Sequence, residues 1–319
     1  MVGIKEIAKK AGVSISTVSY ALNGSSKVTE KTRNKIIAVA EELNYTPNMA
    51  ARSLKRRETN IIGIYLTDYS GAFYGEMLNG VTQTLVANGY ELIVCSGAQS
   101  HRFLPERMID GAIILDYSFS TEEILEYANR GHKMVVLDRE IEHPNIRTVL
   151  LDNQAGSILA VDHLRHGFKG DFYLVTGPKG TYDSDERLKA AQSELSRFKD
   201  QNVYVIQGDF SKEAGRAAAE RITREWKHQV AVFAMNDETA IGMYDYFKHT
   251  ELVIGRDVRI VGFDNIEIVK YLDPKLTTIG YSKYRRGAVA AENLIHLLKG
   301  EEVHRRDMIY TTLIAGKST

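Results

Sequence analysis

A single cysteine, Cys95, in 319 residues excludes any disulfide within the chain and fits a reducing compartment. No stretch approaches the ~18 apolar residues of a membrane-spanning helix. The opening residues, MVGIKEIAKKAGVS, hold no apolar core of a secretory signal, so a cytosolic chain with no membrane partner is expected. Net charge is also absent, with 41 Lys and Arg against 41 Asp and Glu. That balance hides an asymmetry. Residues 1–57 hold eleven Lys or Arg and four Glu, an excess of +7, which leaves −7 on the remainder. A small basic segment on an acidic body is the footprint of a polyanion-binding module joined to something else.

Catalytic and cofactor motifs are missing as well. GPKGT, residues 177–181, lacks the spacing and the Lys-Ser/Thr ending of a phosphate-binding loop. His163 and His166 lie three apart on a helical pattern, too few ligands for a metal. No Ser/His/Asp or Cys/His arrangement has motif support. The chain is therefore not read as an enzyme, and no cofactor, metal or catalytic residue is expected.

What is there begins with GVSISTVSYALN, residues 12–23, a helical pattern without a single charge. Val13, Val18, Ala21 and Leu22 share one face, and the rest is short hydroxyls and Tyr20. Upstream, Ile4, Ile7, Ala8 and Ala11 form another apolar face that stops at Gly12, and Ser14 can cap the next helix. A third helix opens at Thr29, continues through Thr32, Ile36, Val39, Ala40 and Leu43, and ends before Pro47. The tight turn at 12–14 has the spacing of a helix-turn-helix. Short hydroxyls let such a helix approach the DNA major groove closely, where long charged side chains would bind any phosphate.

These residues resemble the lactose-repressor (LacI/GalR) family of bacterial transcription regulators. AGVS.STVS..LN, V...TR..I...A.ELNY.PN and AARSLK fall in order at the family spacing. The resemblance implies base reading by Ile15, Ser16 and Tyr20, and phosphate holding mostly by Ser14, Thr17, Asn23, Thr29, Thr32 and Tyr45. NMAARSLKRR, residues 48–57, matches the family's hinge helix. There Asn48, Ala51, Leu54 and Lys55 are implied DNA contacts, with Leu54 as a wedge in the minor groove. An apolar wedge unstacks a base step while neighbouring cations hold the narrow groove.

From residue 60 the pattern changes. IIGIYL, YELIVCS, GAIILD and KMVVLD, then DFYLVTG, VYVIQGD, VAVFAMND and VRIVGFDN, read as buried strands in two sets. Helical patterns at 73–87, 154–168, 186–199, 211–226, 237–248 and 282–299 lie between them. The expected fold is thus α/β. A small all-α helix-turn-helix head (1–46) and a hinge and linker (47–59) precede a two-lobed body with doubly wound parallel sheets (60–319), the chain crossing between lobes. Strand ends carry Asp68, Asp138, Asp209, Asn236-Asp237 and Asp264-Asn265, with aromatics nearby, a set that suits a small polyhydroxylated or heteroaromatic ligand.

LDNQAGSILAVDHL, ERLKAAQSEL, AMNDETAIGMYDY and VGFDN resemble the family's effector domain, which is similar to periplasmic sugar-binding proteins. That resemblance implies effector contacts from Arg187, Asn236 and Asp264, stacking by Tyr74 and Phe210, and neighbouring positions for Asp68 and Phe73. Where most of the family carries a further helix, only HRFLPERM (101–108) remains, so a surface of the first lobe is reduced. The expected function is a homodimeric, ligand-responsive repressor of a carbohydrate-use operon, with operator DNA and a sugar as partners. A heteroaromatic effector, or a sugar phosphate held by Arg187, stays open. So do two other classes, a transport binding protein and a sugar-modifying enzyme. No heptad run follows the last strand, which points to a dimer rather than a higher oligomer.

Overall fold

A computed structural model describes residues 2–46, 58–69, 72–198, 201–302 and 304–319. The chain divides into two compact units, Met1–Thr59 and Asn60–Thr319.

The first unit packs α1 (Ile4–Ala11), α2 (Ile15–Leu22) and α3 (Glu30–Glu42). Gly12, at φ 66°, ends α1 in a left-handed turn that a side chain would disfavour. The Ser14 hydroxyl accepts the Thr17 N–H at 3.0 Å and opens α2, while Thr29 does the same for Thr32 at 3.4 Å and opens α3. Such caps each stabilise a helix by ~1 kcal/mol. Ile7, Val18 and Ile36 are fully buried in a core otherwise made largely of alanine, which brings the three short helices close together.

The second unit holds two six-stranded sheets. One contains β1 (Ile61–Leu66), β2 (Glu91–Ser96), β3 (Gly111–Leu115), β4 (Lys133–Val136), β5 (Ile146–Leu151) and β11 (Arg306–Ile309). Its order is β11-β5-β4-β3-β1-β2, parallel throughout. The other contains β6 (Asp171–Val175), β7 (Val203–Ile206), β8 (Val230–Ala234), β9 (Val258–Asp264), β10 (Thr277–Gly280) and β12 (Thr312–Ile314). Its order is β12-β10-β9-β8-β6-β7, with only β12 antiparallel to its neighbour. The first five strands of each set thus follow one plan, and the chain crosses between lobes after β5, β10 and β11.

Apolar clusters cover both faces of each sheet, as continuous runs such as VAVFA in β8 require. The helices are α4 (Tyr74–Ala87), α5 (Thr121–Asn129), α6 (Asn153–Arg165), α7 (Tyr182–Leu195), α8 (Lys212–Glu225), α9 (Asp237–Phe247) and α10 (Lys283–Lys299). Close helix crossings recur in both lobes. A Cβ on Gly80 of α4 would overlap the Tyr284 carbonyl of α10, and one on Gly242 of α9 would overlap the Lys212 carbonyl of α8.

Some elements differ from the sequence pattern. The helix expected at 186–199 begins at Tyr182, because its acidic first turn has no apolar period. The strands β5, β10, β11 and β12 and the helix α5 were not anticipated. After β2 the chain forms a 3-10 turn, Ala98–Phe103, where HRFLPERM begins. Among the described residues no helix is long and apolar enough to cross a membrane.

Candidate functional site

On the first unit, α2 turns Ile15, Ser16 and Tyr20 outward; Ile15 is 44% and Tyr20 38% exposed. Large apolar side chains left out of so small a core form an exposed face, and Lys27 lies 5.2 Å above the Tyr20 ring. The Ser14 and Thr17 hydroxyls bond each other at 2.8 Å, and those of Thr29 and Thr32 at 3.0 Å. These pairs sit at helix N-termini, whose free N–H groups favour an anion. Asn23 donates to the Ser19 carbonyl at 2.6 Å, and Tyr45 packs half-buried on the head core. Asn48, Ala51, Leu54 and Lys55 lie outside the described residues.

In the second unit, the carboxyl ends of both sheets face one cleft of about 810 Å³. Its place follows from strand order. β1 lies between β2 and β3, and β6 lies between β7 and β8, so the loops leaving each central pair diverge and open a crevice. Asp68, Phe73, Tyr74, Arg187, Phe210, Asn236 and Asp264 all line it. Phe73 and Tyr74 meet edge to face at 5.1 Å, and Phe73, from the first lobe, packs on a core cluster of the second.

Local geometry fixes these side chains. Phe210, at φ 70°, has its ring over Gly177, where any Cβ would overlap it. Asn236 caps α9 by accepting from Thr239 N at 2.9 Å, and its amide donates to the Phe210 carbonyl at 2.9 Å. Buried Arg187 donates to Asn153 Oδ1 at 2.8 Å and to the Met235 carbonyl at 2.6 Å. Its guanidinium also stacks 3.7 Å above the Phe263 ring, and Nη2 lies 3.8 Å from Asp264 Oδ1. Asp264 has φ 108° and Asn265 φ 50°, a left-handed stretch that places backbone strain at the cleft.

The buried carboxylates are perturbed. Burial pushes Asp264 up to about 6, against the pull of Arg187 and Lys283. Lys283 donates to the carbonyls of Asp264 and Asn265 at 2.7 and 3.1 Å. Burial, and then the Asp264 charge, raises Asp237 well above the usual carboxylate range. Asp237 accepts from Thr278 Oγ1 at 2.6 Å and Ile266 N at 2.9 Å, and so supports the cleft from behind. Burial also raises Asp138, although it forms a two-pronged pair with Arg139 at 2.8 and 2.9 Å.

Several cleft residues escaped the sequence reading: Arg139, Asp183, Lys212 and Glu238. Arg139 and Glu238 follow polar strand ends and carry the same signal as Asp138 and Asn236. Asp183 accepts from Asn153 at 2.7 Å across thirty residues of chain, a tertiary pairing with no local sign.

Residues 3–48 match the family model for bacterial regulatory proteins, lacI family, and residues 161–319 match a periplasmic binding protein-like domain. The PurR HTH-type transcriptional repressor of Vibrio campbellii is 31% identical over 318 residues, covering 96% of this chain and 95% of the relative. The chain belongs to the lacI family of bacterial regulatory proteins. A LacI-family sugar-binding transcriptional regulator from Enterococcus faecalis is 50% identical, with TM-score 0.78 over 82% of this chain and 98% of that one. The lac repressor dimer bound to operator and the anti-inducer ONPF is 25% identical, with TM-score 0.86 over 99% of this chain and 98% of that one. These LacI-family relatives are DNA-binding transcriptional regulators and not enzymes, and the helix-turn-helix head and two-sheet body are the shared architecture.

Proposed function

We propose that this chain is a cytoplasmic repressor that binds a pseudo-palindromic operator as a homodimer and changes its operator affinity when a sugar fills the cleft. In this reading residues 1–46 read DNA, 47–59 form the hinge, and 60–319 bind effector and partner subunit. Ile15, Ser16 and Tyr20 meet base edges, and Leu54 wedges the central step.

The observation that carries the effector class is the cleft's chemistry. Rings at Tyr74 and Phe210 share it with the carboxylate, amide and guanidinium of Asp264, Asn236 and Arg187. Rings pack on the apolar faces of sugars, and planar polar groups bond adjacent hydroxyls in pairs. The 50% identical relative is described as sugar-binding, which supports the same class here. The PurR relatives favour a purine as the rival, at lower identity. A dimer is supported by apolar residues exposed on one edge strand of each sheet: Ile93 and Val94 on β2, and Val203, Tyr204 and Val205 on β7.

The test is calorimetry with a sugar panel on the wild type and on Asp264→Ala, alongside operator titrations. Losing buried hydrogen bonds of roughly 1–3 kcal/mol should weaken sugar binding about tenfold to hundredfold, with operator binding kept but unresponsive. Tight purine binding that alters operator affinity, with no response to sugars, overturns the effector class.

A further inference from the structure

The cleft is rich in one sign of charge. Among the described residues that line it, nine are Asp or Glu and three are Arg or Lys, a formal balance of −6. We propose that the cleft accepts only effectors without an anionic group: a neutral sugar, and not its phosphate ester. The proposal rests on the reading of this cleft as the effector site and adds a charge rule to it.

Three observations carry the rule. First, the charge of each lining cation is already balanced by a carboxylate, which leaves donors for a neutral hydroxyl but no unpaired positive charge for an anion. Arg139 is paired with Asp138, and its remaining donors reach the carbonyls of Asp116 and Phe119 at 2.9 and 3.0 Å. Arg187 serves Asn153, the Met235 carbonyl and the Phe263 ring, with Asp264 as its counter-charge. Lys212 lies 3.2 Å from Glu238. A phosphate drawing on any of these would leave a carboxylate beside it without its cation, which is unfavourable in a partly desolvated site.

Second, the helix N-termini at the cleft carry their own carboxylates. A helix start offers free N–H groups and a positive dipole end, which makes it a ready anion site. Here the first turn of α7 holds Asp183 and Asp185, that of α8 holds Glu213, and that of α9 holds Asp237 and Glu238. The side chains of Ser211 and Asn236 also accept N–H bonds at the starts of α8 and α9. An incoming anion would meet like charge where it would otherwise find donors.

Third, the deepest carboxylate suits hydroxyls. Asp264 Oδ1 accepts from the Tyr281 hydroxyl at 3.2 Å, and a carboxylate has further lone pairs for neutral donors. Its raised pKa shows that its surroundings already compensate its charge poorly, so a second anion there would be less favourable still.

The experiment is calorimetry of the full chain against matched pairs: galactose, glucose and ribose, each with its terminal phosphate ester, and hypoxanthine and guanine with their 5′-nucleotides. The tightest ligand should be neutral, and its ester should bind at least about tenfold more weakly. An ester that binds as tightly as its neutral partner, or a panel in which esters bind and no neutral member does, overturns the rule. The two readings fail separately. A sugar phosphate that binds well overturns the charge rule and keeps the sugar, whereas a free purine base that binds without any sugar does the reverse.

Discussion

Asp264 joins backbone strain, burial and a proposed effector contact in one side chain. It ends β9 in a conformation that disfavours a residue with a Cβ, and its carboxyl is buried beside Arg187 and Tyr281. Its native pKa of about 6 stands above the ordinary 3.8, so the folded chain holds this proton more tightly than the unfolded chain does. The ionised group therefore costs the native state on the order of 3 kcal/mol at neutral pH, and that cost fades as pH falls through 6 towards 3.8. In the proposed effector site, hydroxyls that donate to this carboxylate need it ionised. Effector affinity should be full above about pH 7 and fall by about tenfold per pH unit below 6, which calorimetry between pH 5 and 8 would measure. Asp264→Asn keeps the shape and tolerates the left-handed backbone better. It should raise native stability by about 1–3 kcal/mol and weaken the effector by at least tenfold. A variant that melts below the wild type would show that the ionised carboxylate stabilises the fold, contrary to this account.

At the scale of elements, the short 3-10 helix after β2 shows how a segment is held without an α-helix. His101 is buried there, stacked on Phe119 with ring centres 3.8 Å apart. Its Nδ1 lies 3.1 Å from Glu123 and its Nε2 3.7 Å from Asp116, too far for a hydrogen bond. Burial lowers the imidazole pKa, but the Asp116 and Glu123 carboxylates outweigh it and raise the pKa above 6.5. Burial likewise raises Asp116, while His101 and Ser118 outweigh it and lower that carboxyl below 3.8. The His101 contribution is thus complete below pH 6.5 and is lost as pH rises through the higher native value, while the Asp116 contribution is lost only in acid. His101→Gln should lower stability at pH 6 by about 3 kcal/mol and remove the alkaline decline. Melting curves from pH 5 to 9 with equal slopes in the two proteins would contradict this pairing. Elements like this one also mark the limit of what the sequence reveals. Strands buried on both faces, such as β1 and β8, are written as apolar runs, and the polar strand ends Asn236 and Asp264 point to the cleft. By contrast β10 carries Thr277 and Thr278 in a fully buried strand, tolerated because Thr278 bonds Asp237 from another element. The short strands β11 and β12 end their sheets, where polar residues obscure the pattern. The first turn of α7 faces the cleft, so its start follows the cleft instead of an apolar period.

Over the whole molecule, a net charge of zero is the sum of two oppositely charged parts. Residues 1–57 carry +7, and the remainder, which includes the acid-lined cleft, carries −7. An acidic body does not attract DNA, so affinity has to come from the basic segment, and in the proposed symmetric dimer two copies double it. Each phosphate neutralised by Lys or Arg releases counterions, and this makes binding steeply dependent on salt. With six or more phosphate contacts per dimer, operator affinity should fall by about a thousandfold between 50 and 200 mM salt. The two-fold symmetry of the proposed dimer adds a second expectation. A half-site engages one head and loses the linkage between the two, so it should bind far more weakly than the full pseudo-palindrome. Residues 60–319 alone should retain effector binding and show no operator affinity at any salt concentration. Gel-shift titrations of the full chain and of this fragment, on full and half sites across the salt range, measure all three outcomes. A half-site bound as tightly as the full site would refute the dimeric reading, and an affinity indifferent to salt would detach the basic segment from DNA altogether.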